Sequence, residues 1–240
     1  MTIAKAAKHG LAKVDAMILC GGSGTRLQTV VADRPKALAL VRGRPFIDIV
    51  LDELIGQGLQ RFIFCVGHMR EQIVRHVAKR HDATFVYSEE SVPLGTGGAI
   101  HNALPLVTSD PFIVLNGDSF CRVDLEGMLN FHRRSSAALT LVAAPASLRR
   151  DAGALQINGD GRLGAFEEKS GTGASINAGI YLMNRACTAG WPAAYPFSLE
   201  RDVMPRLIEQ QPCFAFNALG EVYDIGTPDR YLAAQDGLPC

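Results

Sequence analysis

Two rhythms of apolar and polar positions take turns along this chain. Ala16 to Leu19 is a short unbroken apolar run, the mark of a strand buried on both faces. Ile47, Val50, Leu51, Leu54 and Ile55 then recur at i, i+3, i+4, i+7 and i+8. That spacing predicts an amphipathic helix opened by Pro45 and closing near Gly56 and Gly58. Arg61 to Val66 reads as buried strand, Arg70 to Arg80 as a helix with Ile73, Val74 and Val77 on one face, and Thr84 to Tyr87 as strand again. Gly95-Thr-Gly-Gly-Ala-Ile100 opens another helix and Pro111 to Asn116 is an apolar strand. Asp124 caps a helix carrying Leu125, Met128 and Leu129, and Ala137 to Ala144 is a strand. This alternation over the first 144 residues predicts an α/β fold: a mostly parallel twisted sheet with helices on both faces and a ligand crevice beyond the carboxyl ends of its strands.

Beyond Pro145 the rhythm changes. Ala154 to Ile157, the turn Asn158-Gly-Asp-Gly161 and Leu163 to Glu167 predict a hairpin, and Ser175 to Met183 a further strand. Ser198 is placed to cap a helix interrupted at Pro205. Cys213 to Phe216 and Glu221 to Tyr223 read as short strands, and Thr227-Pro228 starts a closing helix. The second half is thus expected to be a smaller α+β lid built onto the first half. Residues 1–13 show little periodicity and are expected to form a flexible tail, leaving residues 14–240 as a single domain.

Composition removes several classes of function. The formal charge is zero, from 24 basic and 24 acidic residues, so there is no basic footprint for nucleic acid or an anionic membrane. Any polyanion bound must be small and held locally. The apolar runs are strand-length, and residues 1–13 hold three lysines without an apolar signal core. Neither a spanning helix nor a secretory leader is expected, and the chain is assigned to the cytoplasm. Cys20, Cys65, Cys121, Cys187, Cys213 and Cys240 form no C-x-x-C pair and read as buried thiols. Lysine is scarce: besides the three in the tail there are only Lys36, Lys79 and Lys169, and two of these fall in stretches with the character of a site.

The strongest such stretch is Cys20-Gly-Gly-Ser-Gly-Thr-Arg-Leu27, with Pro35-Lys36 after it. Gly21, Gly22 and Gly24 let the backbone present N–H groups to an anion, with Ser23 between them. Thr25 and Arg26 add a hydroxyl and a fixed guanidinium fork, and Lys36 a compact mobile ammonium. Three glycines alone fit a tight turn equally well; Arg26 and Lys36 favour a loop for a triphosphate. Gly22-Ser-Gly24-Thr-Arg-Leu27 lacks the last glycine of G-x-G-x-x-G and the chain has no Gly-Lys pair, so neither a nicotinamide fold nor a Walker ATPase is supported. Asn116-Gly117-Asp118 follows a strand, which aims Asp118 into the crevice where a magnesium ligand belongs. Alternatively, Asp118 caps its own loop.

The block Gly21-Gly-Ser-Gly-Thr-Arg-Leu27 through Pro35-Lys36 to Gly43-Arg-Pro45 resembles the signature of the nucleotidyltransferases that activate sugar 1-phosphates. Gln28-Thr29 stands where that family usually has Pro-Leu, and Ala37 where it often has a second proline. The resemblance implies the Rossmann-like nucleotide-diphospho-sugar transferase fold, with 14–144 as nucleotide-binding half and 145–240 as sugar-binding half. It implies that residues 20–26 hold the nucleotide and that Asp118 and Asp224 share Mg²⁺. Asp224 lies in Tyr223-Asp-Ile-Gly-Thr-Pro228 and could instead be a helix-entry cap, although Thr227 is better placed for that.

Glu168-Lys169, bare, is an ordinary charge cluster; by resemblance Glu168 accepts sugar hydroxyls and Lys169 meets the 1-phosphate. Asn177-Ala178-Gly179 resembles the next sugar-binding block, which Asn116 and Gly117 join; Gly179 can also be a bulge in an edge strand. Glu90-Ser-Val-Pro-Leu-Gly-Thr-Gly-Gly-Ala-Ile100 resembles the base-binding block, with Gly95 and Thr96 close to the base or ribose and Glu90 at the base edge, unless Glu89 serves there. A carboxylate suits guanine, whose N1–H and N2–H₂ are adjacent donors.

The implied reaction is attack of a sugar 1-phosphate oxygen on the α-phosphorus of a nucleoside triphosphate, with pyrophosphate leaving. Arg26, Lys36, Asp118 and Lys169 would carry it by alignment and electrostatics. In overall pattern the chain looks most like D-glycero-D-manno-heptose 1-phosphate guanylyltransferases of surface-glycan synthesis. Mannose 1-phosphate guanylyltransferases and N-acetylmuramic acid 1-phosphate uridylyltransferases are the nearest rivals. The expected partners are GTP, or another nucleoside triphosphate, and a sugar 1-phosphate, acting on a monomer or homodimer. A non-catalytic nucleotide-sugar sensor is the competing class, against which the presence of both Lys36 and Asp118 weighs.

Overall fold

Strands buried on both faces need a helical layer on each side, and the molecule has that architecture. The computed structural model describes residues 10–146, 154–167 and 175–238. Its first half comprises β1 (Asp15–Leu19), β2 (Leu40–Val41), β3 (Arg44–Pro45), α1 (Phe46–Gln57), β4 (Arg61–Val66), α2 (Arg70–Val77), β5 (Thr84–Glu89), α3 (Gly95–Ala103), β6 (Phe112–Asn116), β7 (Ser119–Phe120), α4 (Leu125–Arg134) and β8 (Leu139–Pro145). There follow β9 (Ala154–Ile157), β10 (Leu163–Glu167), β11 (Ser175–Met183), α5 (Met204–Gln210), β12 (Cys213–Asn217), β13 (Tyr223–Asp224) and α6 (Pro228–Gly237). A π-helical turn at Leu199–Val203 leads into α5.

The centre of the sheet is parallel, in the order β6–β1–β4–β5. Leu19 is level with both Cys65 and Asn116, and Val66 with Glu89, so four strand ends open side by side. Side chains alternate between two cores. Ile18, Phe62, Phe64, Ile113 and Leu115 share one with residues of α1, α2 and α4; Met17, Ile63, Cys65, Phe112 and Val114 share the other with residues of α3 and α5. Helix α1 buries Phe46, Ile47, Val50, Leu51 and Leu54, each contributing roughly 1.5–3 kcal/mol on full burial. It ends at Gly58, φ 113°, where the N–H groups of Gly58 and Leu59 close onto the carbonyls of Ile55 and Leu54.

Strand β11 joins the halves. Its residues 180–183 run antiparallel to β6 and its residues 175–176 to β9, while β8 lies along the opposite edge and carries β12 in parallel. The register against β8 slips between Asn177 and Tyr181, and Gly179 in that slip has φ 76°. Gly179 is therefore at a bulge, but in an inner strand and not at an edge.

Where periodicity was clear, the bounds agree: β4, β9, β10 and β11 fall where the pattern places them. Asp124 caps α4 by accepting from Gly127 N at 2.9 Å, Ser198 accepts from Arg201 N at 3.3 Å, and Thr227 from Arg230 N at 3.4 Å. Three expectations need correction. Residues 11–13, expected within the tail, form a 3₁₀ turn whose Leu11 is buried in the first core; a single leucine without periodic companions leaves no pattern. The helix from Arg70 ends at Val77, where the backbone tightens into turns with Lys79 N on His76 O at 3.2 Å and Arg80 N on Val77 O at 2.9 Å, and Arg80 pairs with Asp52 at 2.7 Å and Asp82 at 2.6 Å. The strand expected at Glu221 to Tyr223 is instead β13, since its partner β7 offers only Ser119 and Phe120. Among the described residues five cysteines are free and buried, and no helix is long and apolar enough to cross a membrane.

Candidate active site

The chain segments that leave the four level strand ends, residues 20–24, 67–68, 90–96 and 116–118, surround a cavity of about 650 Å³. Cys20, Gly21, Gly22, Ser23, Gly24, Lys36, Glu90, Gly95, Thr96, Asn116, Gly117 and Asp118 all line it. The glycine loop is open: a methyl group on Gly22 would meet nothing within 4 Å, and Ser23, Thr25 and Arg26 are exposed. Thr25 and Arg26 lie in the turn beyond the cavity wall, closed by Leu27 N on Gly24 O at 2.9 Å. The Gln28 side-chain amide donates to Ser23 O at 3.0 Å, so the residue standing in place of the usual proline ties the loop with its side chain. Cys20 is buried beneath, and burial pushes its thiol far above the ordinary range.

Lys36 leaves the loop after Pro35, whose extended backbone (ψ 147°) starts a 3₁₀ turn. Its Nζ donates to Asp118 Oδ2, and Ser119 Oγ donates to Asp118 Oδ1 at 3.2 Å. Burial alone would raise the Asp118 pKa. The Lys36 charge, with hydrogen bonds from Lys36 and Ser119, outweighs it and holds the carboxyl below the usual range. Asp118 is thus ionised on the cavity wall. The two-residue ladder of β7 with β13 sets Asp224 opposite Ser119, and Ile225 N donates to Asp118 O at 3.0 Å. Asp224 is buried behind the wall; its Oδ1 accepts from Gly226 N at 2.8 Å and meets Arg230 Nη1 at 3.3 Å. It does not cap α6, which Thr227 does.

On the far side of the cavity the Glu90 carboxylate lies against Gly21, where a methyl group would meet Oε1 at 2.5 Å. Leu94 N donates to Glu90 Oε2 at 3.4 Å, and burial raises the Glu90 pKa above the ordinary carboxylate value. Glu89 points elsewhere: it is exposed and paired with Arg70 at 3.0 Å. The structure therefore separates two adjacent glutamates that the sequence leaves equivalent.

Gly95 lines the cavity, yet the space at its α-carbon belongs to the protein. A methyl group there would meet Phe197 O at 2.3 Å, and φ is 76°. The N–H groups of Gly97 and Gly98 donate to that same carbonyl at 3.1 and 3.2 Å, and Phe197 N donates to Leu94 O at 3.0 Å. The first turn of α3 is thus capped by a segment a hundred residues away. Thr96 Oγ1 accepts from Leu199 N at 2.9 Å and donates to Glu200 Oε2 at 2.6 Å.

Toward β11, Asn116 packs against Gly179, whose added methyl would meet Asn116 Nδ2 at 2.6 Å. Gly117 is drawn into packing by the strand ends, its N–H donating to Leu19 O at 3.0 Å. Ala178 is buried. Asn177 accepts from Gly179 N at 3.0 Å and donates to Tyr181 Oη at 2.7 Å. Glu168 and Lys169 lie outside the described residues.

Three wall residues carry no sequence signal strong enough to have been singled out. Gly67 packs on Gly21, since a methyl group would meet Gly21 O at 2.9 Å; His68 N donates to that same oxygen at 3.3 Å; and Val92, 59% exposed, lines the cavity near Glu90. The strand-end rule that picks out Asp118 would have found Gly67 and His68 if applied to β4. Glu200, two residues beyond the cap Ser198, carries no motif signal of its own.

The nucleotidyl transferase family model matches residues 15–239. D-glycero-alpha-D-manno-heptose 1-phosphate guanylyltransferase of Aneurinibacillus thermoaerophilus is 35% identical over 227 residues, covering 94% of this chain and 98% of that protein. Mannose-1-phosphate guanylyltransferase of Mycobacterium tuberculosis is 31% identical over 235 residues, 94% of this chain but 65% of that protein. Among solved structures, HddC from Yersinia pseudotuberculosis complexed with GMP-PN is similar with a TM-score of 0.82 and 31% identity, over 92% of this chain and 98% of that one.

Proposed function

The chain belongs to the nucleotidyl transferase family, and on that premise we infer that it transfers GMP from GTP to D-glycero-D-manno-heptose 1-phosphate, giving GDP-heptose and pyrophosphate. The observation that carries this is the polarity of this cavity: a half-buried carboxylate, Glu90, on one wall and an ammonium held on a carboxylate, Lys36 on Asp118, on another. A guanine edge offers two donors to the first, and a triphosphate needs the second. The likeness to the heptose 1-phosphate guanylyltransferase, over nearly the whole length of both proteins, supports the sugar.

In this reading residues 14–144 serve the nucleotide and residues 145–240 the sugar. Gly21, Gly22, Ser23, Gly24 and Thr25 receive the triphosphate, Arg26 closes on it from the exposed turn, and Gly95 and Thr96 border the base or ribose. Lys36 stabilises charge developing as pyrophosphate leaves. Asn116, Asn177 and Glu168 take sugar hydroxyls, and Lys169 orients the attacking 1-phosphate. Mg²⁺ fits the donors present: Asp118, in the turn before β7, and Asp224, on the paired β13, supply hard carboxylate oxygens, and a cationic group already rests on Asp118. Those two residues would hold the ion, which when bound supplies charge neutralisation for the phosphates. A cytoplasmic monomer or homodimer feeding surface-glycan synthesis is the setting we assign.

Mannose 1-phosphate is the second reading, favoured by the similarity to the mycobacterial enzyme. Pyrophosphate release with GTP, UTP, ATP and CTP against both sugar phosphates separates them. GTP with the heptose should have the highest kcat/KM. Equal values for GTP and UTP overturn the base, a preference for mannose 1-phosphate overturns the sugar, and no release with any pair returns the chain to a sensor.

A further inference from the structure

Glu200 stands between the two halves and no role in the reaction has yet been given to it. It sits in the π-helical turn before α5, and its two oxygens gather three hydroxyls. Oε2 receives Thr96 Oγ1 at 2.6 Å and Ser198 Oγ at 2.9 Å; Oε1 receives Tyr181 Oη at 3.2 Å. An ionised carboxylate only accepts, so all three hydroxyl hydrogens must point at it. Each hydroxyl is then left with lone pairs alone for its other neighbours.

The consequences run outward in both directions. Tyr181 Oη, its hydrogen spent on Glu200, accepts from Asn177 Nδ2 at 2.7 Å. That turns Asn177 Oδ1 the other way, onto Gly179 N at 3.0 Å, which holds the bulge where β11 meets Asn116 on the cavity wall. Thr96 Oγ1 in turn accepts Leu199 N at 2.9 Å, which pins the first turn of α3 at the nucleotide side of the same cavity. Tyr181 is fully buried, so its hydroxyl has no water to fall back on.

We propose that Glu200 is a positioning residue that fixes the direction of two hydrogen-bond chains, through Tyr181 to the Asn177–Gly179 bulge and through Thr96 to the start of α3, and so holds the sugar-side and nucleotide-side walls in one alignment. This rests on the assignment of Asn177 to sugar hydroxyls and Thr96 to the nucleotide. A residue that merely stabilised the fold would change the amount of active enzyme; one that aligns two walls changes how each substrate is held.

Two substitutions separate those cases. Tyr181→Phe cuts the sugar-side chain alone and should raise KM for the sugar 1-phosphate about tenfold while leaving KM for GTP within about twofold, one charge-assisted link being lost. Glu200→Gln should raise both KM values. The double variant should match Glu200→Gln on the sugar side, because the second change removes a link already broken. A fall in kcat that tracks the melting temperature with both KM values unchanged would overturn the proposal, as would single effects that multiply. Proton–nitrogen NMR of the Asn177 side-chain amide in the ligand-free protein tests the chain without any substrate. Both variants should shift that pair of signals, and an unmoved pair overturns the proposal whatever the reaction. If the native protein releases no pyrophosphate but the amide signals do move, the assigned reaction fails and the alignment stands.

Discussion

Two glycine-rich stretches border the same cavity, residues 21–24 and 95–98, and in sequence they look like two versions of one device. In the structure they are opposites. Around Gly22 there is open space, Ser23 beside it is exposed, and Glu90, Lys36 and Asp118 line the same cavity. Around Gly95, Gly97 and Gly98 the space is filled by Phe197 and Tyr195, and the backbone N–H groups of Gly97 and Gly98 are satisfied by a protein carbonyl. Glycine at the first leaves open space that an incoming anion could enter; at the second it lets a distant segment of the same chain come close. The lesson is that a glycine-rich loop at a helix start is a phosphate site only if its N–H groups are unspent.

The largest expected effect tests the open loop's charge. Lys36→Met should lower kcat by about 100-fold to 1000-fold, the scale for removing one group that stabilises transition-state charge, with a smaller change in KM for the sugar phosphate. Steady-state kinetics in both substrates would show it, and a pure KM effect would take Lys36 out of the chemical step. Next comes the packed stretch. Gly95→Ala combines a 2.3 Å clash with the Phe197 carbonyl and a left-handed backbone, and should cost about 3 kcal/mol of stability in urea unfolding.

Gly22→Ala should do the reverse. Stability should move by less than about 1 kcal/mol, while KM for GTP rises about tenfold as an approaching phosphate loses a charge-assisted hydrogen bond. If Gly22→Ala unfolds the protein and Gly95→Ala leaves its stability unchanged, the comparison is inverted. The smallest effect concerns Glu90, which touches the open loop at Gly21. Its pKa is raised by burial, so acidification protonates it earlier than an exposed glutamate. The preference for GTP over UTP should therefore be full near neutrality and decline, by about tenfold at most, as pH falls through that raised value. Stability has the opposite sign. A carboxyl whose folded pKa is raised contributes stability that is present at low pH and lost as pH rises through the folded pKa. Glu90→Gln should flatten both profiles, and a GTP preference that is flat with pH in the native protein would remove Glu90 from the base edge.

What the amino-acid sequence determined by itself is local. Phe62 to Val66 with no polar interruption leaves a strand no choice but burial on both faces, and the spacing of Ile47, Val50, Leu51 and Leu54 leaves a helix one face to bury. Those patterns place the strand ends, and strand ends place residues 20–24 and Asp118, which is why their meeting at one cavity was legible. Only the tertiary structure decided which of Glu89 and Glu90 faces the cavity, because that depends on Arg70 capturing the first and on Gly21 leaving room for the second. It decided that Gly95 answers to Phe197, that Gly179 lies in an inner strand beside Asn116, and that Glu200 ties Thr96 to Tyr181. Each of these is a contact between segments about twenty to a hundred residues apart. Periodicity reports only which face of an element is apolar, and it carries no information about which distant backbone will come to rest against that face.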